Sequence, residues 1–135
     1  MRIVIDTNVI ASGIFFSGLP NQLLRLVIER KILATVSNEI INEYHKTFNY
    51  LLNDKNRVPK ENISVNSIVK KMKKISIKSD IKASRDPNDD MFINCAIDGK
   101  CKYIVSSDKD LLDIKSFENV EILTVREFMN EYNKK

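Results

Sequence analysis

The chain has 135 residues, 43% of them hydrophobic and 30% charged, with a formal net charge of +4. That length suits one domain with a hydrophobic core, and the apolar share excludes a disordered chain. No apolar run approaches the ~20 residues of a membrane span, and Asp6 breaks the apolar start, so a cytoplasmic protein without a secretory signal is expected.

In chain order, Ile3–Ile5 reads as a short buried strand that stops on Asp6. "PNQLLRLVIER" (20–30) has Pro20 near its start and Leu23, Leu24, Val27 and Ile28 at helical spacing. "ILATV" (32–36) is a second strand, and Ser37 caps a helix from about 38 to 52. A polar loop (53–59) leads to a helix over roughly 60–74, and "ISI" (75–77) reads as a short strand. "SRDPNDD" (84–90) is a loop before a helix at 91–98, which Gly99 closes. "YIV" (103–105) is a strand, and "SSDKDLLDI" (106–114) a turn with a short helix. "VEIL" (120–123) is the last strand, and Thr124 caps the last helix. Strands alternate with helices throughout, which predicts one α/β domain over 1–135. Its mostly parallel central sheet has four to five strands, with helices on both faces.

Several kinds of chemistry find little support. Cys95 and Cys101 form no CxxC pair and have no histidine cluster beside them, so they read as small buried residues. His45 is the only histidine, it follows Tyr44 on a polar helix, and no G-x-S-x-G motif is present. An enzyme built on this chain is expected to work with carboxylates and a metal.

Charge is uneven. Residues 46–82 hold ten Lys or Arg against three acids, a net of +7, which leaves −3 for the rest. Lys70, Lys71, Lys73 and Lys74 either form a solvated helix face or meet a polyanion.

In open parallel sheets, sites form at the carboxyl ends of strands. Asp6 ends the first strand, and Asp108 follows "YIVSS". Asp90, just after Asp89, opens the helix at 91–98, and Glu43 lies on the helix that leaves the second strand. Each acid has an ordinary alternative as a turn, cap or surface residue. Glu39 in the first turn of its helix is explained by the helix dipole, whereas Glu43 lies one turn deeper. Four carboxylates on one edge repel strongly unless a cation joins them. Oxygen ligands without imidazole or thiolate favour Mg²⁺ or Mn²⁺.

"IVIDTNVI", "SNEIINEY", "RDPNDDMFINCAI" and "YIVSSDKDLL" resemble, in this order, the four acidic motifs of PIN-domain ribonucleases. The resemblance spans positions 3 to 112 and is nearest to bacterial and archaeal PIN proteins that are toxins of toxin–antitoxin systems. It implies a metal-dependent endoribonuclease that hydrolyses RNA phosphodiester bonds with one or two Mg²⁺ or Mn²⁺ ions. The implied catalytic and metal-binding acids are Asp6, Glu43, Asp90 and Asp108, supported by Asn8, Ser106 and Asp89. Asn8 would order Asp6, and Ser107 stands where close relatives often have Gly. The resemblance also implies an antitoxin partner and a homodimer. Lys55, Arg57, Lys70, Lys71, Lys73 and Lys74 would then guide the RNA backbone, and Tyr44 and Tyr50 are possible stacking residues beside a packing role.

A haloacid-dehalogenase-like phosphatase would need an acid where Asn8 stands, and a receiver domain would need a second acid near Asp6. The alternative of another class is a non-catalytic RNA- or protein-binding module with a PIN-like fold.

Overall fold

A computed structural model describes residues 1–134. Six strands, β1 (Arg2–Ile5), β2 (Leu33–Val36), β3 (Lys73–Lys74), β4 (Tyr103–Val105), β5 (Ser116–Phe117) and β6 (Val120–Leu123), form one sheet in the order β3-β2-β1-β4-β6-β5. Every neighbouring pair is parallel except β5 with β6. Seven helices accompany them: α1 (Thr7–Phe15), α2 (Leu19–Ile28), α3 (Asn38–Asn53), α4 (Val65–Val69), α5 (Pro87–Asp98), α6 (Lys109–Ile114) and α7 (Val125–Asn133).

The strand sequences explain the layering. Ile3, Val4 and Ile5 are all fully buried, and successive strand side chains point to opposite faces. Both faces of the sheet are therefore covered, as parallel sheets require. Helix α5 packs on β1, β2 and β4, while α7 meets β4, β6 and α2, and α1 lies against α2 and α3. Burying each large aliphatic side chain contributes about 1.5–3 kcal/mol relative to leaving it in water.

The sheet has six strands rather than four to five, because β3 and β5 are two-residue edge strands too short to leave a pattern. The third strand pairs at Lys73–Lys74 rather than at 75–77, although the Ile75 amide still donates to the Val36 carbonyl at 2.8 Å. The helix expected over 60–74 is a 3-10 turn, Lys60–Asn62, followed by the short α4. Ser64 restarts the helix there: its hydroxyl accepts from the Ser67 amide at 3.1 Å, and the Ser67 hydroxyl accepts from the Ser64 amide at 3.0 Å. Lys71 to Lys74 therefore follow a helix and are not its last turn.

Helix α1 has no counterpart among the expected elements. Only Thr7, Asn8 and Ser12 of its sequence, TNVIASGIF, are polar, and seven of its nine residues are buried, so no clear amphipathic period marks it. Helix α5 begins at Pro87, four residues earlier than expected, because Asp86 caps it by accepting from the Asn88 amide at 3.0 Å. Gly99 ends α5 in a right-handed conformation (φ −84°), and the left-handed residue is Lys100 (φ 54°).

Candidate metal and nuclease centre

The carboxyl ends of β1 and β4 lie side by side, since Ile5 pairs with Val105. Asp6 and Ser106 are the next residues on each strand. The Asp6 amide extends the ladder by donating to the Val105 carbonyl at 2.9 Å. The Asp6 carbonyl accepts the first bonds of α1, but its side chain makes no cap bond to the helix. Its carboxylate is instead held by Ser106, whose hydroxyl donates to Oδ2 at 2.7 Å. The same Ser106 oxygen accepts the Asp108 amide at 2.9 Å, and Asp108 in turn caps α6 through the Asp110 amide at 2.8 Å. One fully buried hydroxyl thus ties the first and fourth motifs together.

Asp6, Thr7, Asn8, Glu43, Asp86, Asp89 and Asp108 border a hollow of about 200 Å³. Five of these are carboxylates, and no lysine or arginine lines the hollow. Tyr44, next to Glu43 on α3, is buried and donates its hydroxyl to the Ile5 carbonyl, which anchors that helix against the end of β1. It is a packing residue and not a stacking platform.

Asp89, not Asp90, joins this hollow. Because α5 starts at Pro87, both acids lie in its first turn, where neighbouring side chains point about 100° apart. Asp90 faces a separate hollow shared with Glu39 and Asn94. Its Oδ1 accepts the amides of Ala83 at 3.1 Å and Ser84 at 2.8 Å, so it fastens the incoming loop. Asn8 lines the acidic hollow, but among the described residues its side chain makes no hydrogen bond; Ser106 does the ordering assigned to it.

The charges are crowded. Burial, then the carboxylates of Asp108, Asp86 and Asp6, push Asp89 up to about 7. Burial also raises Asp6, opposed by the Ser106 hydroxyl and nearby amides and reinforced by Asp108. Carboxyl oxygens of Asp89, Asp108 and Asp110 lie within 4.8 Å of one another. Asp110 was not among the expected acids; the D-x-D spacing from Asp108 was its sequence signal. It also meets Arg85 at 3.3 Å, an arginine shared with Asp113 at 3.5 Å.

The donor set fits a hard divalent cation: carboxylate, hydroxyl and amide oxygens line the hollow, with no imidazole or thiolate among them. The buried Thr7 hydroxyl, also on this hollow, has no hydrogen-bond partner. A hydrated ion would satisfy it, since buried polar groups are rarely left unpaired.

None of the six cations expected to guide RNA lines the acidic hollow. Lys55 lies over the Tyr50 ring at 5.8 Å, and Arg57 over the exposed Phe16 ring at 5.4 Å. Lys70, Lys71 and Lys73 border a different hollow. His45 is half-buried. Cys95 and Cys101 are buried and free, and burial pushes the Cys95 thiol up to about 12, as befits a packing residue.

Among the described residues, no helix is long and apolar enough to cross a membrane. The chain is 31% identical to an uncharacterized protein of Methanocaldococcus jannaschii, over 99% of this chain and 93% of that one. Residues 2–110 match the PIN domain, which takes in every acid of the hollow, and the chain belongs to the PIN-domain family.

Proposed function

We propose that the protein is a metal-dependent endoribonuclease that hydrolyses RNA phosphodiester bonds. The observation that carries this reading is the hollow with five carboxylates and no cation at the carboxyl edge of the sheet. PIN domains are typically nucleases, and the carboxylate cluster suits the metal such nucleases use.

In this reading Asp6, Asp89 and Asp108 hold one or two Mg²⁺ or Mn²⁺ ions, with Glu43 completing the wall of the site and Asp110 within reach of the same ions. Bound there, the metal supplies an activated water and screens the phosphate oxygens. The chain's own contribution is orientation. Ser106 fixes one Asp6 oxygen, and it sets the turn that aims Asp108. Asp89, with its raised pKa, gives up a proton when a cation binds, so loading is coupled to pH.

We further propose that the nuclease is the toxin of a toxin–antitoxin pair, acting in the cytoplasm as a homodimer until an antitoxin covers the acidic hollow. The resemblance of the four motifs to toxin-type PIN proteins supports this role. The test is cleavage of structured and single-stranded RNAs with Mg²⁺ or Mn²⁺, with EDTA and Asp6→Asn as controls. Metal-dependent cutting lost in the variant supports the reading. Absence of cutting by folded protein on every RNA would favour a non-catalytic binding module. Growth arrest on expression, relieved by Asp6→Asn, would support the toxin role.

A further inference from the structure

Arg30, Lys70, Lys71 and Lys73 converge on a second hollow of about 400 Å³, walled by Ile32, Leu33 and Met72. No acid lines it. Among the described residues, none of the four cations takes part in a salt bridge, and Glu29, the acid beside Arg30, is engaged by Lys31 at 3.5 Å. Apolar walls lower the local dielectric, which strengthens the pull on an anion.

The position in the sheet is informative. Leu33 pairs with Arg2, the first residue of β1, whereas the acidic hollow lies beyond the last. At about 3.3 Å per residue, the two hollows are separated by roughly 13 Å along the strands. The edge strand β3 lies beside β2, where Lys73 and Lys74 pair with Thr35 and Val36. Val36 ends β2, so exposed Lys74 stands level with the carboxyl edge. Lys74 therefore carries positive charge from the basic hollow to the carboxyl end of the edge strand, with β2 between it and β1. Lysines on an edge strand also discourage strand pairing. That explains Lys73 and Lys74 but not Arg30, Lys70 and Lys71, which precede their strands and face the hollow.

We propose that this basic hollow and the β3 edge form a second contact for the RNA phosphate backbone, gripping the substrate at a distance from the acids. The ribonuclease reading supplies the identity of the polyanion; the site itself rests on the unpaired cations. The contact offsets the repulsion between RNA and the carboxylate cluster.

The test is fluorescence anisotropy of the full chain carrying Asp6→Asn, which leaves RNA uncut. A short oligonucleotide and one of about 20 nucleotides are titrated across a salt series. Joint replacement of Lys70, Lys71 and Lys73 by Glu should weaken the long RNA roughly tenfold or more and flatten its log–log salt slope by about 2. Replacement of the same three by Arg should retain both, which separates lost charge from lost packing. Equal binding of long RNA by the folded Glu variant overturns the proposal. So does an unchanged RNA affinity alongside lost affinity for poly-glutamate, which would assign the face to an acidic protein. Tight long-RNA binding by a wild type that never cuts, lost in the folded Glu variant, would uphold this contact while removing the nuclease reading.

Discussion

The Ser106 hydroxyl donates to Asp6 Oδ2 at 2.7 Å and accepts from the Asp108 amide at 2.9 Å, so two acids from opposite ends of the chain are aimed by one oxygen. Ser106 is fully buried, so no water replaces its hydroxyl at the Asp6 carboxylate. Ser106→Ala should cost about 1 kcal/mol of stability. It should weaken metal binding or activity by a larger factor, about 10–100-fold, because the acids lose their alignment. Thermal melts and Mn²⁺ titrations on the same protein separate the two effects; a loss of stability with unchanged metal affinity would assign Ser106 a packing role alone.

Asp89 and Asp90 should behave differently despite adjacency. Asp89→Asn removes a carboxylate from the crowded hollow and should lower RNA cleavage by more than about 100-fold. Asp90→Asn keeps an acceptor for the Ala83 and Ser84 amides and should remain active. Asp90→Ala leaves both amides without that acceptor and should cost about 1–3 kcal/mol. Cleavage assays and denaturant melts on the three variants decide the assignment. An inactive Asp90→Asn beside an active Asp89→Asn would return the site to the expected residue.

The contrast between these acids shows how much was legible. The alternation of strands and helices, and the shared edge of Asp6 and Asp108, followed from pattern and strand ends. The choice between Asp89 and Asp90 depends on where α5 begins, because one residue of register turns a helical side chain by about 100°. Pro87 after Asp86 was the available cue for that start. Helix α1 was missed because a helix buried nearly all round carries no period. The lysines were legible as a basic stretch but not as a separate hollow, since their distance from the acids is set by strand pairing between β1, β2 and β3.

The crowding at Asp89 predicts a pH dependence. Its pKa is about 7 in the folded, metal-free protein against an ordinary 3.8, so the folded state holds a proton that the unfolded chain releases. Between those values this group makes stability fall as pH rises. In EDTA the melting temperature should therefore decline across that window, and less so in Asp89→Asn. Mn²⁺ should raise the melting temperature more at pH 8 than at pH 5.5, because protons then compete less for the site. A metal-induced shift that is equal at both values would remove Asp89 from the ligand set.

Away from the acids, Gly13 tests the packing that supports them. It lies inside α1, where alanine ordinarily stabilises a helix by about 0.5–1 kcal/mol. Here a Cβ would sit 2.5 Å from Leu24 Cδ1 and 2.8 Å from the Pro20 carbonyl, closer than packed atoms tolerate. The Gly13 carbonyl also accepts the buried Asn21 amide at 2.9 Å, which fixes α2 against α1. Neither partner can retreat freely, since Leu24 is fully buried in the core. Gly13→Ala should therefore destabilise the protein by about 1–3 kcal/mol, as overpacking does. Asp6 directly precedes helix α1, so the displacement should also loosen metal binding. Chemical denaturation measures the first effect and Mn²⁺ titration the second, and a more stable Gly13→Ala protein would show that the α1–α2 contact yields.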